Sequence, residues 1–216
     1  MVTNLSESSS LVSNWVSELR DVQIQQDRMR FRRNLERIGE VAAFEISKHL
    51  ECSIVDVQTP LGIHKSMLFK QQPVVSTILR AGIPMHHGMV NYFDKADCAF
   101  LCAYRKHHED GSFEIKLEYM SCPDLTNRDM IICDPMLATG ASLVKCIDFL
   151  KTAGQFKSLN IVCAIASKFG IETIKAAFPE AKIWCGDIDE TLSDIGYIIP
   201  GLGDAGDLAF GEKLQH

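Results

Sequence analysis

Met130-Ile131-Ile132-Cys133-Asp134-Pro135-Met136-Leu137-Ala138-Thr139-Gly140-Ala141-Ser142 is the stretch that decides how this chain folds. Its first four residues form an apolar run of the kind found in strands buried on both faces. An acid follows, then a Thr-Gly-Ala-Ser turn, then apolar residues at helical spacing, Leu143, Val144, Ile147 and Leu150. Strand, acidic loop and helix N-terminus are therefore predicted in succession. At such a turn the backbone N–H groups lack intrahelical partners and the helix dipole is positive, so a phosphate fits over Thr139, Gly140, Ala141 and Ser142. The Thr139 and Ser142 hydroxyls add donors for the same anion. Asp134, itself anionic, suits sugar hydroxyls instead. The same outline occurs in α/β proteins that bind nothing there, and the Gly-Lys-Ser/Thr of a P-loop is absent, so the pattern alone leaves phosphate binding open.

Upstream, Val74 to Leu79 reads as an apolar strand ending at Arg80-Ala81-Gly82-Ile83-Pro84. Small residues at a strand end let backbone N–H groups approach an anion, and Arg80 adds a forked cation suited to diphosphate; an ordinary ion pair is the other reading of a lone arginine. A second strand, Ala99 to Ala103, ends in Tyr104-Arg105, and Ser112 to Tyr119 alternates as a projecting hairpin would. Downstream come a strand at Leu159 to Ala166, a helix around Ile171 to Phe178, and a short strand at Ile183 to Cys185 running into Asp187. Strands alternating with helices predict an α/β fold with a parallel sheet flanked by helices. Arg80, Arg105, Asp134 and Ser167 then fall just past strand carboxyl ends, the edge at which such sheets bind ligands.

Before this core, Leu11 to Leu19 and Met29 to Leu50 have helical periodicity, the second carrying Arg28, Arg30, Arg32, Arg33 and Arg37 opposite its apolar side. A solvated or oligomer-contacting face is the default for that row, an anion or RNA contact the alternative. Ser53 to Val57 alternates like a half-buried strand, and Thr59-Pro60-Leu61-Gly62 turns it into a hairpin flap. Near the end, Tyr197-Ile198-Ile199-Pro200-Gly201-Leu202-Gly203-Asp204-Ala205-Gly206-Asp207 carries enough Gly and Pro to exclude a regular helix or strand. Its apolar residues favour an ordered loop over a tail.

With 216 residues and 46% apolar content the chain buries a sizeable core, most simply as one domain, 1–216. The net charge of -6 offers no attraction to nucleic acid. No apolar run reaches membrane-spanning length and Met1 to Ser10 is polar, so a cytoplasmic protein without membrane contact is expected. Most of the eight cysteines sit in apolar stretches without a Cys-x-x-Cys pair, as reduced cysteines do. Cys98 and Cys102 with His107-His108 are the one zinc candidate, but two cysteines four apart also share a strand face, and no metal ligand is assigned. His86 and His87 read as packing or surface residues without a role.

The string Asp-Pro-Met-Leu-Ala-Thr-Gly followed by a small residue and Ser resembles the 5-phosphoribosyl 1-diphosphate (PRPP) motif of type I phosphoribosyltransferases, and of the uracil phosphoribosyltransferases in particular. Leu79-Arg80-Ala81-Gly82 is similar to their diphosphate loop, Tyr104-Arg105 to their second diphosphate contact, and Tyr197 to Asp207 to their uracil-binding hood. The resemblance implies a type I phosphoribosyltransferase fold with an N-terminal helical arm (11–50), a core of about 70–190, a β-hairpin arm and a C-terminal base-binding hood of about 186–213. It implies that uracil and PRPP give UMP and diphosphate in pyrimidine salvage. PRPP would be bound by Arg80, Ala81, Gly82, Arg105, Asp134, Pro135, Met136, Leu137, Ala138, Thr139, Gly140, Ala141, Ser142 and Asp204. Uracil would be bound by Tyr197, Ile198, Gly203, Asp204 and Ala205, with Arg105 and Asp204 catalytic. Backbone reading of the base should reject cytosine, whose donor and acceptor pattern leaves buried groups unpaired. Mg2+ would arrive with PRPP, since Pro135 stands where the general type I motif has a second acid. GTP activates some relatives and so is a candidate activator, and a homodimer or higher homo-oligomer is expected. Two departures bear on the loops. Ala141 stands where many relatives have Gly and requires a negative φ. Pro84 is expected to shift or stiffen the start of its helix. A PRPP-sensing RNA-binding regulator on the same fold, or a transferase for another base, remain the alternatives.

Overall fold

A computed structural model describes residues 1–107 and 113–214, with side chains outside 103–117. In chain order the elements are β1 (Val2–Asn4), α1 (Leu11–Arg20), α2 (Arg28–Ser47), β2 (Cys52–Thr59), β3 (Gly62–Phe69), β4 (Val74–Leu79), α3 (Ile83–Tyr92), β5 (Asp97–His107), β6 (Phe113–Ser121) and β7 (Asp129–Cys133). Then follow β8 (Met136–Leu137), α4 (Ala141–Leu150), β9 (Ser158–Ser167), α5 (Lys168–Ala177), β10 (Lys182–Asp189), β11 (Thr191–Leu192), β12 (Ile198–Ile199) and α6 (Ala205–Phe210). Helix starts are specified locally: Ser10, Asp27, Ser167 and Asp204 each accept backbone N–H groups as N-caps of α1, α2, α5 and α6.

The central sheet runs β1-β10-β9-β7-β4-β5-β6, with β8 paired to β9, and every pairing is parallel except β5 with β6. β7 is buried along its whole length and β9 nearly so, as strands covered on both faces must be. One face packs under α1, α2, α3 and the hood, through Val16, Leu35, Met85 and Leu202. The other packs under α4 and α5, through Leu143, Ile147 and Ile174. From β4 the chain steps outward to β5 and then returns to place β7 on the other side of β4. Successive connections thus diverge between β4 and β7, which opens a crevice at their carboxyl ends.

α2 crosses α3 at two glycines. A Cβ on Gly39 would stand 2.4 Å from the Met85 carbonyl oxygen, and one on Gly88 would stand 2.0 Å from that of Glu36. The backbones touch there because neither residue has a side chain to hold them apart.

Several expectations change. β10 continues past Cys185 to Asp189, and the polar N-terminus contributes β1, which pairs with it in parallel. The hairpin β2–β3 is not half-buried: Ile54, Ile63 and Met67 are mostly exposed, because the arm stands outside the main sheet and pairs only within itself. β5 runs on to His107, so Arg105 does not lie past a strand end. It lies within β5, three residues beyond Cys102, where pairing with β4 stops and pairing with β6 continues. Pro84 leaves its helix start in place, since the first turn needs no N–H from it. The hood stretch is more regular than its Gly and Pro content indicated. Ile198–Ile199 pairs with Thr191–Leu192, and α6 includes Gly206, because the Asp204 cap offsets the cost of glycine in a short helix.

Four of the five arginines in the α2 row are occupied within the chain. Arg30 pairs with Glu18 and Arg33 with Glu36, Arg37 lies over the Trp15 ring, and Arg32 donates to the Ala209 carbonyl. Cys133, Cys146, Cys163 and Cys185 are buried and all eight cysteines are free thiols; burial pushes the Cys146 thiol up to about 12. His86 is buried against Phe100 at 5.2 Å between ring centroids, and burial holds its pKa below the usual range. Among the described residues no helix is long and apolar enough to cross a membrane.

Candidate active site

The parallel strands bring their carboxyl ends to one edge, where Arg80, Asp134, Ser167 and Asp189 follow or end β4, β7, β9 and β10. Gly82 seats the β4 loop against β7. A Cβ there would meet Thr77 Oγ1 at 2.2 Å and the Cys133 carbonyl oxygen at 2.5 Å, so only glycine lets the Arg80-Ala81-Gly82 backbone drop into the crevice. The Leu79–Arg80 peptide is cis, as is Ile199–Pro200.

Across the crevice, the Asp134 N–H donates to the Val162 carbonyl at 3.0 Å. The Pro135 carbonyl accepts from Ala164 and Ile165, and Met136–Leu137 pairs with β9 as β8. The loop is thereby stitched to the sheet before it turns. Gly140 makes the turn at φ 79 and is the N-cap of α4 without a capping side chain; the Ala141 N–H reaches Thr139 Oγ1 at 3.4 Å. Ala141 keeps a negative φ, since Asn127 is the one non-glycine with positive φ among the described residues. Its methyl group, and the departure it represents, is tolerated for that reason. From below, α5 supports the loop: Gly170 packs where a Cβ would stand 2.3 Å from the Ala138 carbonyl oxygen. Ser167, named for its strand-end position, is committed to this support. Its hydroxyl donates to Ala138 O at 2.6 Å and accepts from the Gly170 N–H at 2.8 Å.

The hood closes the third side. Asp204 caps α6 by accepting from the Gly206 and Asp207 N–H groups at 2.9 and 3.0 Å, and pairs with Lys213 at 3.0 Å. Burial pushes its carboxyl up, but the Asp207 amide, Lys213 and the Gly206 amide together hold it below the usual carboxylate range. Arg80 reaches across to the hood, donating to Asp207 at 3.1 Å and to the Gly211 carbonyl at 3.3 Å. The ion pair open to a lone arginine is thus present, and it joins the β4 loop to α6. Ile198 is buried on β12, whereas Tyr197 is half exposed, its N–H donating to Ser193 Oγ. The turn before Tyr197 leans on the α4 loop, with Gly196 facing the Thr139 methyl group.

Of the expected site residues, the structure brings Arg80 to Gly82, Asp134 to Ser142 and Gly203 to Ala205 around one crevice. The side chain of Arg105 lies outside the described residues, as do those of Tyr104 and His107 and all of His108. Among the described residues no three His, Cys, Asp or Glu side chains converge as a metal cage would. A cavity of about 310 Å3 adjoins the hood, lined by Gln25, Arg28, Gly203, Asp204 and Asp207 among others. A larger one, about 440 Å3, lies at the opposite strand ends beside Asp129, Ser158 and Lys182 and contains no expected site residue. Residues not foreseen are Asp207, Lys213, Arg20 and Asp189; the signal for the last was an acid two residues past Asp187, at the carboxyl edge.

Known proteins resemble this chain in sequence and in fold. A family model described as uracil phosphoribosyltransferase matches residues 6–212. A curated uracil phosphoribosyltransferase of Porphyromonas gingivalis is 48% identical over 214 residues, covering 99% of each chain. The solved AQ2163 protein of Aquifex aeolicus superposes with a TM-score of 0.86 at 30% identity, over 99% of this chain and 100% of that one. Adenine phosphoribosyl transferase of Trypanosoma brucei, solved with AMP, pyrophosphate and ribose-5-phosphate, shares the fold at a TM-score of 0.58 and 10% identity, over 94% of this chain and 87% of its own.

Proposed function

This chain belongs to the uracil phosphoribosyltransferase family, and from that premise we propose how its residues divide the work of moving the 5-phosphoribosyl group of PRPP to N1 of uracil. The products are UMP and diphosphate, a step of pyrimidine salvage. The observation that carries the assignment of roles is the crevice between β4 and β7, with the Arg80 loop on one wall, the Asp134 to Ser142 loop on the other and the hood above.

The N–H groups at the start of α4, with Thr139 and Ser142, hold the 5-phosphate; Asp134 holds ribose hydroxyls; Pro135 to Ala138 set the loop's course. Arg80, the Ala81-Gly82 backbone and Arg105 hold the diphosphate, which meets Arg80 where Asp207 now stands. As the C1–oxygen bond breaks, its electron pair leaves with diphosphate and C1 becomes oxocarbenium-like. N1 of uracil then supplies the pair for the new bond and its proton leaves to water. An acid held below its usual range stays ionised, so Asp204 screens positive charge at the ribose and does not store that proton. Backbone groups of Ile198, Gly203 and Ala205, with Tyr197 beside them, read the base edge. Mg2+ would arrive with PRPP and would neutralise diphosphate charge, with Asp134 and Asp204 as the carboxylates near it, since among the described residues no three His, Cys, Asp or Glu side chains converge to hold it alone.

The chain acts as a single domain over 1–216. A cytoplasmic homo-oligomer fits the salvage role and the exposed apolar arm β2–β3. The test is UMP formation from PRPP and Mg2+ with uracil beside cytosine, orotate, hypoxanthine and xanthine, each with and without GTP. Turnover with uracil alone supports the reading, and a GTP effect identifies an activator. PRPP binding without turnover of any base would replace it with the regulator reading.

A further inference from the structure

The hood is bolted to the N-terminal helix by an ion pair outside the crevice. Arg20, the last residue of α1, donates from Nη1 and Nη2 to the two Asp189 oxygens at 2.8 Å each, a bidentate fork. Nη2 also donates to Asp187 at 2.9 Å, and Nη1 to the Gly201 carbonyl at 3.0 Å. Asp189 in turn accepts the Gly201 N–H at 3.0 Å. Both backbone groups of Gly201 are therefore held by one ion pair whose arginine and aspartate side chains are only 19% and 7% exposed.

Gly201 stands between Ile198 and Gly203, two of the residues whose backbone is assigned to the base. Its φ is 59, in the left-handed region, and a Cβ there would lie 2.2 Å from the Ile198 carbonyl oxygen. Apolar packing is non-directional and cannot choose this peptide orientation, whereas paired hydrogen bonds to N–H and C=O can. Stability alone does not account for the arrangement, because buried ion pairs exchanged for apolar contacts often leave a fold equally stable. A site that recognises its ligand by main-chain groups needs those groups fixed to a few tenths of an ångström, by a supporting shell that is itself locked. Further contacts lock this one: Asn4 of β1 donates to Asp187 at 3.3 Å, and Gln25 donates to the Arg20 carbonyl at 3.2 Å.

We infer that Arg20 and Asp189 are positioning residues for base recognition, acting through Gly201 to orient the backbone on either side of it. The inference rests on the uracil contacts proposed above.

Turnover of uracil by the unaltered enzyme is measured first; its absence would sink that reading and leave the variants uninformative about a base that is not the substrate. With turnover established, Arg20→Met, Arg20→Lys and Asp189→Asn are compared for uracil KM at saturating PRPP, and for PRPP Kd by calorimetry without a base. The uracil KM should rise about 10- to 100-fold in Arg20→Met, less in Arg20→Lys, with PRPP Kd within about twofold of the parent. An unchanged uracil KM overturns the inference. So does a parallel loss of PRPP binding, which marks general damage. If Arg20→Met does not accumulate as folded protein, the isosteric Asp189→Asn decides by the same two measurements.

Discussion

At the scale of single residues the crevice depends on where side chains are missing as much as on where they are present. Gly82 has a negative φ of -76, so alanine is conformationally allowed there, yet its methyl group would collide with the β7 carbonyl. Gly82→Ala should therefore push the Arg80 loop outward and weaken PRPP binding by about tenfold or more, with thermal stability much less affected. Calorimetric titration with PRPP checks this, and unchanged affinity would show that the loop relaxes freely. Asp204 makes a statement about pH. Its folded-state pKa lies below its ordinary 3.8, so the stability it contributes is complete above that value and is lost as pH falls through the lower folded one. Across about pH 5 to 9 it stays ionised, and the kcat profile should show no limb that Asp204→Asn removes. A limb near about pH 6 that the substitution abolishes would instead make Asp204 a proton carrier.

At the scale of elements the contact of α2 with α3 carries the most risk. A methyl group on Gly88 meets the Glu36 carbonyl at 2.0 Å, and a helix backbone cannot yield as a side-chain tip can. Gly88→Ala should cost about 1 to 3 kcal/mol and lower Tm, while the kcat of what remains folded changes little; thermal unfolding and an active-site titration separate the two. Elements also differ in how legible they were. β4, β7, β9 and α4 announce themselves through apolar runs or helical spacing, because burial on both faces leaves no freedom in composition. β1, β8 and β12 have two or three residues each, too few for any period, and exist only because a neighbouring strand offers a partner. α6 was missed for a different reason: Gly206 argues against a helix, and the Asp204 cap that overrides it is recognisable only once the helix is known to begin there. The loops of the site were legible as motifs. The Arg20 clamp was not, since nothing in a sequence says that positions 169 residues apart will meet.

At the scale of the whole molecule, the arm β2–β3 presents a cluster of exposed apolar side chains to water. Leu61 at its tip is fully exposed, and Ile63 and Met67 are about 70% exposed. Isolated two-stranded hairpins are marginal, so an arm of this length calls for a partner surface, and the proposed homo-oligomer assigns that place to a second copy of the chain. Ile63→Lys with Met67→Lys should shift sedimentation toward the monomer, while Gly62→Ala, whose Cβ meets nothing within 4 Å, should not. Identical sedimentation of the double variant and the parent would place the interface elsewhere.

The join between α1 and the hood also orders events in time. Arg20 is made before Asp189 and Gly201, and the join closes only after 169 and 181 further residues have followed it. The strands that carry the loops proposed for PRPP can assemble before then, but the surface proposed for the base cannot. A growing chain therefore builds the crevice we propose in sequence, the loops for the phosphates first and the hood, with Asp204 and the backbone for the pyrimidine, last.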